Sequence, residues 1–281
     1  MVLVNSKNVF SIAQKENFAI PATNFIDLDS ARTFIKTAEK RKLPLILSFA
    51  QSHNQLISLR EAALIGKYLA KETKFPVVLH LDHGEDFNFV RTAIDLGFTS
   101  VMIDASELPF EENIKLTSKV VQYAHKNNVT VEAELGHVGA NENFESHNVK
   151  NSIYTEAKDV VEFVERTNVD SLAISIGTAH GAYEGTPDIN FQRLKEINEK
   201  TNIPLVLHGG SSSGDSNLAK CSRNGITKIN IFTDFLNNAY DNILENKPAN
   251  YLELKELANM SMEATLDHYY EVFNTKPIFI N

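Results

Sequence analysis

Short β-rich runs and amphipathic stretches alternate eight times along this chain, and that alternation restricts the fold more than any single residue. The strand candidates are residues 18–22, 44–49, 76–82, 100–104, 129–135, 171–176, 204–208 and 228–232. Helical patterns fill the gaps at 29–41, 59–73, 87–96, 111–127, 156–167, 191–200 and 215–224. Asp29 and Ser58 read as N-caps, and Gly97 and Gly225 as helix stops. Eight strands separated by helices imply right-handed βαβ units in a parallel sheet, and eight such units close a (β/α)8 barrel. The competing architecture is an open doubly wound sheet, marked by a Gly-rich dinucleotide turn after its first strand. Here the first strand leads through Pro21-Ala22-Thr23-Asn24 instead, which favours the barrel.

The 281 residues suit one such barrel, which takes roughly 250 residues. Two further helical stretches, 234–244 and 251–273, follow the last strand. The second carries Leu254, Leu257, Met260, Thr265 and His268, a face that either packs on the barrel or meets another subunit. With no internal repeat, low-complexity tract or linker, residues 1–281 read as a single domain.

A net charge of −9 argues against nucleic-acid or anionic-membrane partners, although a small site can still be locally positive. The lone Cys221 rules out an intrachain disulfide and fits a reducing compartment. The start, MVLVNSKNVF, lacks the apolar core and cleavage site of a signal peptide, and no apolar run approaches the roughly 20 residues that span a bilayer. A cytoplasmic location is the expectation.

Polar residues cluster where such a barrel does its chemistry. Asp82-His83 ends the third strand, Asp104 the fourth and His208 the seventh. Glu132 and Glu134 lie on the fifth strand, His180 follows the sixth, and Asn230 sits near the end of the eighth. The C-terminal ends of barrel strands converge on one mouth, so these groups are expected together. His83, His180 and His208 suit a catalytic Zn²⁺ with an open fourth position, or another divalent cation. A lone histidine at a strand end is more often an ordinary hydrogen-bonded side chain; three at one rim favour a metal. Asp104 and Glu134 either orient the ligand imidazoles or offer an alternative or second cation position, a monovalent ion included. Asp82 stands where a general base is needed, or is structural. His80 alternates with Asp82 and is expected in the interior. His53, His125, His137, His147 and His268 carry no assignment and are expected at the surface. Gly177, Gly181, Gly209 and Gly210 follow strands six and seven, where backbone N–H groups can hold a phosphate.

Seven segments carry a family resemblance: LVNSK (3–7), PVVLHLDHGEDF (76–87), LGFTSVMIDASELPFEEN (96–113), VEAELGHVGANE (131–142), AISIGTAHGAYEG (173–185), PLVLHGGSS (204–212) and GITKIN (225–230). In order and over nearly the whole chain, they resemble the class II fructose-bisphosphate and tagatose-bisphosphate aldolases, nearest the shorter tagatose-type branch. The resemblance implies zinc on His83, His180 and His208. It makes Asp82 the acid/base at the C4 hydroxyl and Glu142 the mobile carboxylate at the ketone-side carbon. It assigns Asn24, Gly181, Gly209, Gly210, Ser211, Asn230 and Thr233 to substrate, the last six to the dihydroxyacetone-phosphate half. It also implies a lid over 136–153 and a homodimer or homotetramer.

Departures fall on substrate-holding positions. Glu184 stands where the family usually has a ketone-side phosphate lysine, and Phe232 where it has an acidic or amide residue before Thr233. Ser212 and Ser213 precede Gly214 where the family has glycine first, and the Pro-Arg of the aldehyde-side phosphate is missing around Tyr251-Leu252. The implied activity is reversible aldol cleavage of a ketose phosphate to dihydroxyacetone phosphate and an aldehyde, with altered phosphate recognition. Fructose, tagatose and deoxy-keto-sugar-acid substrates stay open. The competing function is a catalytically silent, metal-binding sugar sensor or assembly subunit.

Overall fold

A computed structural model describes residues 2–136, 154–179 and 187–279. It begins with helix α1 (Ser6–Glu16), then β1 (Ile20–Asn24), α2 (Leu28–Arg41), β2 (Leu45–Ala50), α3 (Leu59–Leu69), β3 (Val77–Gly84), α4 (Phe87–Leu96) and β4 (Ser100–Ile103). Next come α5 (Phe110–Lys126), β5 (Thr130–Leu135), α6 (Ala157–Thr167), β6 (Ser171–Ile174), α7 (Phe191–Lys200), β7 (Leu205–Leu207), α8 (Asp215–Arg223) and β8 (Ile226–Ile231). Two helices close the order, α9 (Thr233–Asn246) and α10 (Tyr251–Val272). The strands pair in parallel from β1 to β8, and β8 returns to β1, so the sheet is a closed eight-stranded barrel. The expected (β/α)8 architecture is present, with two extra C-terminal helices.

Helix α1 was not among the expected elements, although its signals are in the sequence. Asn5 caps it by accepting from Lys7 N, and Val9, Phe10 and Ala13 recur at helical spacing. Those three bury against Phe18, Ile20, Ala22, Ile46 and Val78, a small core that stops the N-terminal end of the barrel. Capping also needs one correction. Asp27, not Asp29, caps α2: it accepts from Ser30 N at 2.7 Å, and the Ser30 hydroxyl accepts from Asp27 N. Ser58 caps α3 reciprocally with Glu61, and Gly97 ends α4 at φ 100°, both as expected. Helix α8 ends at Arg223, with Asn224 as its C-cap and Gly225, at φ 108°, directly after it.

Helix α10 packs against α9 and α2, burying Thr265 while Met260 of the same stretch stays exposed. Tyr270, fully buried, donates from its hydroxyl to Pro44 O at 3.1 Å and ties α10 to the start of β2. No described helix is long and apolar enough to cross a membrane.

Candidate active site and metal centre

Strand β3 departs from regular pairing where the chemistry begins. Leu81 lies opposite Val101, but Gly84 lies opposite Ile103, so three steps on β3 match two on β4. Regular alternation would send Asp82 and His83 to opposite faces of the sheet. The extra residue, with His83 at φ 47°, lets both serve the same mouth. A non-glycine residue in that region costs about 1–3 kcal/mol, which the surrounding contacts must hold. Ligand atoms of Asp82, His83 and His208 come within 4.8 Å of one another.

The two described histidines face each other. His83 Nε2 is 2.9 Å from His208 Nδ1, with the rings edge-on at 75°. Each ring's far nitrogen meets a carboxylate: His83 Nδ1 to Asp104 Oδ2 at 2.7 Å, and His208 Nε2 to Glu132 Oε1 at 2.9 Å. An imidazole that donates at the back presents a lone pair at the front. Two such lone pairs pointing at one place repel unless a shared proton or a metal cation sits between them. Burial opposes charge on His83, yet Asp82, Asp104 and Glu134 together push its pKa up to about 9. Burial, followed by the cationic neighbours, lowers that of His208 despite its bond to Glu132. The pocket is built for one positive charge at the convergence of the two rings. A divalent cation fits that donor set, with carboxylates orienting each imidazole from behind.

Asp82 is fixed on both oxygens. Asn24 Nδ2 donates to Oδ2 at 2.8 Å, and Asn230 Nδ2 donates to Oδ1 at 2.9 Å. Burial would raise its pKa, but His83, Lys228, His208 and His80 hold it well below the usual carboxylate range. It is therefore an ionised carboxylate, positioned by amides from β1 and β8. Asn230 Oδ1 is buried with no partner among the described residues, leaving an acceptor at the same spot.

Beneath this layer lies a second polar one. Lys228, on β8 and fully buried, donates to both oxygens of Glu132 at 2.8 Å and to His80 Nε2 at 3.1 Å. Its three ammonium protons thus have three acceptors. His80 in turn bonds Ser100 Oγ at 2.9 Å, and burial followed by Lys228 lowers its pKa to about 3, so it is a neutral interior group as expected. Glu132 carries the connection upward, since the oxygen that meets Lys228 also meets His208. Sequence reasoning missed Lys228. It lies two residues before Asn230 on β8, so period-two alternation would have turned it inward.

The turn after β7 needs glycine. At Gly209, φ is 67°, and an added Cβ would lie 2.2 Å from Ala179 O. Gly210 N donates to Asn230 O, joining this turn to β8. Ser211 Oγ accepts from the backbone N–H groups of Phe232 and Asp234, at 3.1 and 3.3 Å, and so holds the start of α9, where Thr233 is the first helical residue. Ser212, at φ 58°, bonds Asp234 through both backbone and hydroxyl.

The mouth therefore gathers Asn24, Asp82, His83, Asp104, Glu134, His208 and Asn230, with Gly209, Gly210 and Ser211 on the adjoining turn and Thr233 at the start of α9. Asp104 meets the back of His83, and ligand atoms of His83, Asp104 and Glu134 form a second group within 4.8 Å. Asp104 and His208 follow the ends of β4 and β7, so the paired strands stop just short of the chemistry. His180, Gly181, Glu184 and Glu142 lie outside the described residues, as do His137, His147 and most of the expected lid. His125 and His268 pair with Asp170 and Asp215 near the surface. His53 is a correction: it is half-buried at the mouth, with its ring centroid 4.7 Å from that of Phe232.

Comparison with known proteins fits this geometry. The class-II fructose-bisphosphate aldolase family model matches residues 4–277. The chain is 36% identical over 261 residues to the D-tagatose-1,6-bisphosphate aldolase subunit GatY of Klebsiella oxytoca, covering 90% of this chain and 92% of that one. Among solved structures it is similar to the YdjI aldolase of Escherichia coli K12, with TM-score 0.88, 31% identity and coverage of 97% and 98%. It is also similar to a putative fructose-1,6-bisphosphate aldolase from Coccidioides immitis, with TM-score 0.86, 26% identity and 95% of each chain covered. With the family pattern running through almost every residue, and a relative of more than a third identity across nine-tenths of the chain, this protein belongs to the class II fructose-bisphosphate aldolase family and is an aldolase-type lyase of carbohydrate metabolism.

Proposed function

We propose that this protein catalyses reversible, metal-dependent aldol cleavage of a ketose phosphate to dihydroxyacetone phosphate and an aldehyde, with phosphate recognition altered from the family pattern. The observation that carries it is the pair of imidazole nitrogens 2.9 Å apart, each backed by a carboxylate, beside an ionised Asp82. His83, His208 and His180 would hold a Zn²⁺ ion, which when bound polarises the substrate carbonyl as a Lewis acid. Asp82 accepts the C4 hydroxyl proton as the C3–C4 bond breaks, so C4 leaves as the aldehyde and the bonding pair passes to C3 and its neighbouring carbonyl. Glu142 then returns a proton at C3. Asn24 and Asn230 hold the carboxylate of Asp82 in place through that exchange. Asp104 and Glu134 serve as orienting groups for the ligand set, and Gly181, Gly209, Gly210, Ser211, Asn230 and Thr233 as the dihydroxyacetone-phosphate contacts.

Glu184 and Phe232 support altered substrate recognition, because a carboxylate repels phosphate and a phenyl ring cannot hydrogen-bond it. We read residues 1–281 as one domain that acts as a homo-oligomer. The exposed Tyr240, Leu244, Tyr251, Leu252 and Met260 of α9 and α10 support a self-contact. The test is a ketose screen with coupled detection of dihydroxyacetone phosphate, run on phosphorylated and unphosphorylated substrates. The reading expects chelator-sensitive turnover that Asp82→Ala abolishes. Stoichiometric metal without turnover of any ketose would point to the silent sensor instead. Efficient cleavage of fructose or tagatose bisphosphate, unaffected by Glu184→Lys, would sink the altered-recognition part.

A further inference from the structure

His53 lies in the short turn Gln51–Gln55 that leaves β2. Its ring is tilted 38° against Phe232, with centroids 4.7 Å apart, and meets Phe49 edge-on at 6.4 Å. Phe232 leaves β8, and β8 and β2 are the two neighbours of β1. The pair of rings therefore bridges the C-terminal end of β1, where Asn24 holds Asp82.

The turn is anchored on both sides. Leu56 N donates to His53 O at 2.8 Å, and Asn54 Oδ1 accepts from Leu59 N at 2.9 Å. Gln51 exchanges two hydrogen bonds with Glu85, two residues beyond His83. His53 is thus presented at the mouth in advance of any substrate, at little further ordering cost. Its Nδ1 is buried and has no partner among the described residues. An unsatisfied buried nitrogen in a native fold calls for an explanation, and one that finds its partner only in a substrate is such an explanation. Burial lowers the pKa of His53 although Asp82 opposes the shift, so the ring is neutral and offers one donor and one acceptor. A neutral imidazole stacked on a phenyl ring suits a carbon that carries a hydroxyl and turns its C–H face to the rings. It suits a phosphate dianion less well, because that group is bound best by cationic donors or by several converging backbone N–H groups.

We propose that His53 and Phe232 form the recognition wall for the aldehyde half of the substrate, with His53 hydrogen-bonding an uncharged hydroxyl beyond C4. The inference rests on the reading of Asp82 as the group that exchanges the C4 proton: Asp82 then marks C4, and His53 lies close enough to Asp82 to feel its charge.

The test uses the metal-loaded protein and compares two reactions. One is exchange of the dihydroxyacetone-phosphate C–H with solvent deuterium, which needs no aldehyde. The other is condensation of dihydroxyacetone phosphate with glyceraldehyde or with glyceraldehyde 3-phosphate. The wild type is expected to favour glyceraldehyde in kcat/KM. His53→Leu should lower the ratio of glyceraldehyde condensation to exchange by about 10-fold, the loss of one well-placed hydrogen bond. His53→Asn, which keeps a polar atom near the Nδ1 position, should recover most of that ratio. The proposal is overturned if the wild type prefers the phosphorylated aldehyde, or if His53→Leu lowers both reactions equally. It is also overturned if His53→Leu leaves the ratio unchanged. A wild type that neither exchanges nor condenses would overturn the aldolase reading itself, a result distinct from these.

Discussion

The ion pair of Lys228 and Glu132 beneath the metal centre permits a worked test. Both side chains are fully buried, and the ammonium reaches both carboxylate oxygens at 2.8 Å. At an effective dielectric of 20, two unit charges about 3 Å apart attract by roughly 6 kcal/mol, a gain offset by the cost of removing both ions from water. Burial pushes the Glu132 carboxyl up, but Lys228 and His208 bring its pKa down to about 2, so the pair is ionised. Lys228→Met leaves a buried carboxylate with His208 as its remaining partner among these groups; Glu132→Gln leaves a buried ammonium. Each single change should cost about 3–5 kcal/mol. The double variant removes both charges, and its loss should fall short of the sum of the singles by at least about 2 kcal/mol. Urea unfolding of the metal-loaded proteins, followed by far-ultraviolet circular dichroism, measures all three. Single losses under about 1 kcal/mol, or additivity within about 0.5 kcal/mol, would refute the reasoning.

Asp104→Asn removes the charge behind His83 without changing the shape of the side chain, and should weaken metal binding by about 10–100-fold. A competitive chelator titration gives the number; unchanged affinity would mean that Asp104 does not orient the ring. Gly209→Ala places a methyl 2.2 Å from Ala179 O in a left-handed backbone conformation, and should destabilise the fold by at least about 2 kcal/mol. Thermal unfolding checks it, and a native melting temperature would show that this turn has room to move.

The barrel was legible because its alternation is regular, and the strand ends that carry Asp82, Asp104 and His208 could be placed to within a residue or two. That sufficed to bring most of the mouth together from the sequence. Helix α1 was passed over because it precedes the first strand, outside the repeating unit, although Asn5 and the Val9, Phe10, Ala13 spacing mark it. Lys228 was hidden by its type: a lysine in a strand is read as solvent-facing unless its period-two neighbour is already known to face inward. His53 was assigned to the surface because a loop histidine carries no pattern, and its packing on Phe232 depends on strands far apart in sequence that flank β1. The bulge that turns Asp82 and His83 to the same side is likewise a property of the β3–β4 register, which no local signal near His83 announces.

Metal content tests the central claim most directly. The protein reconstituted with Zn²⁺ and dialysed should retain one tightly held ion per chain by elemental analysis, and His83→Ala and His208→Ala should each lose it while remaining folded. Stoichiometric zinc surviving in both variants, or none in the wild type, would contradict the account.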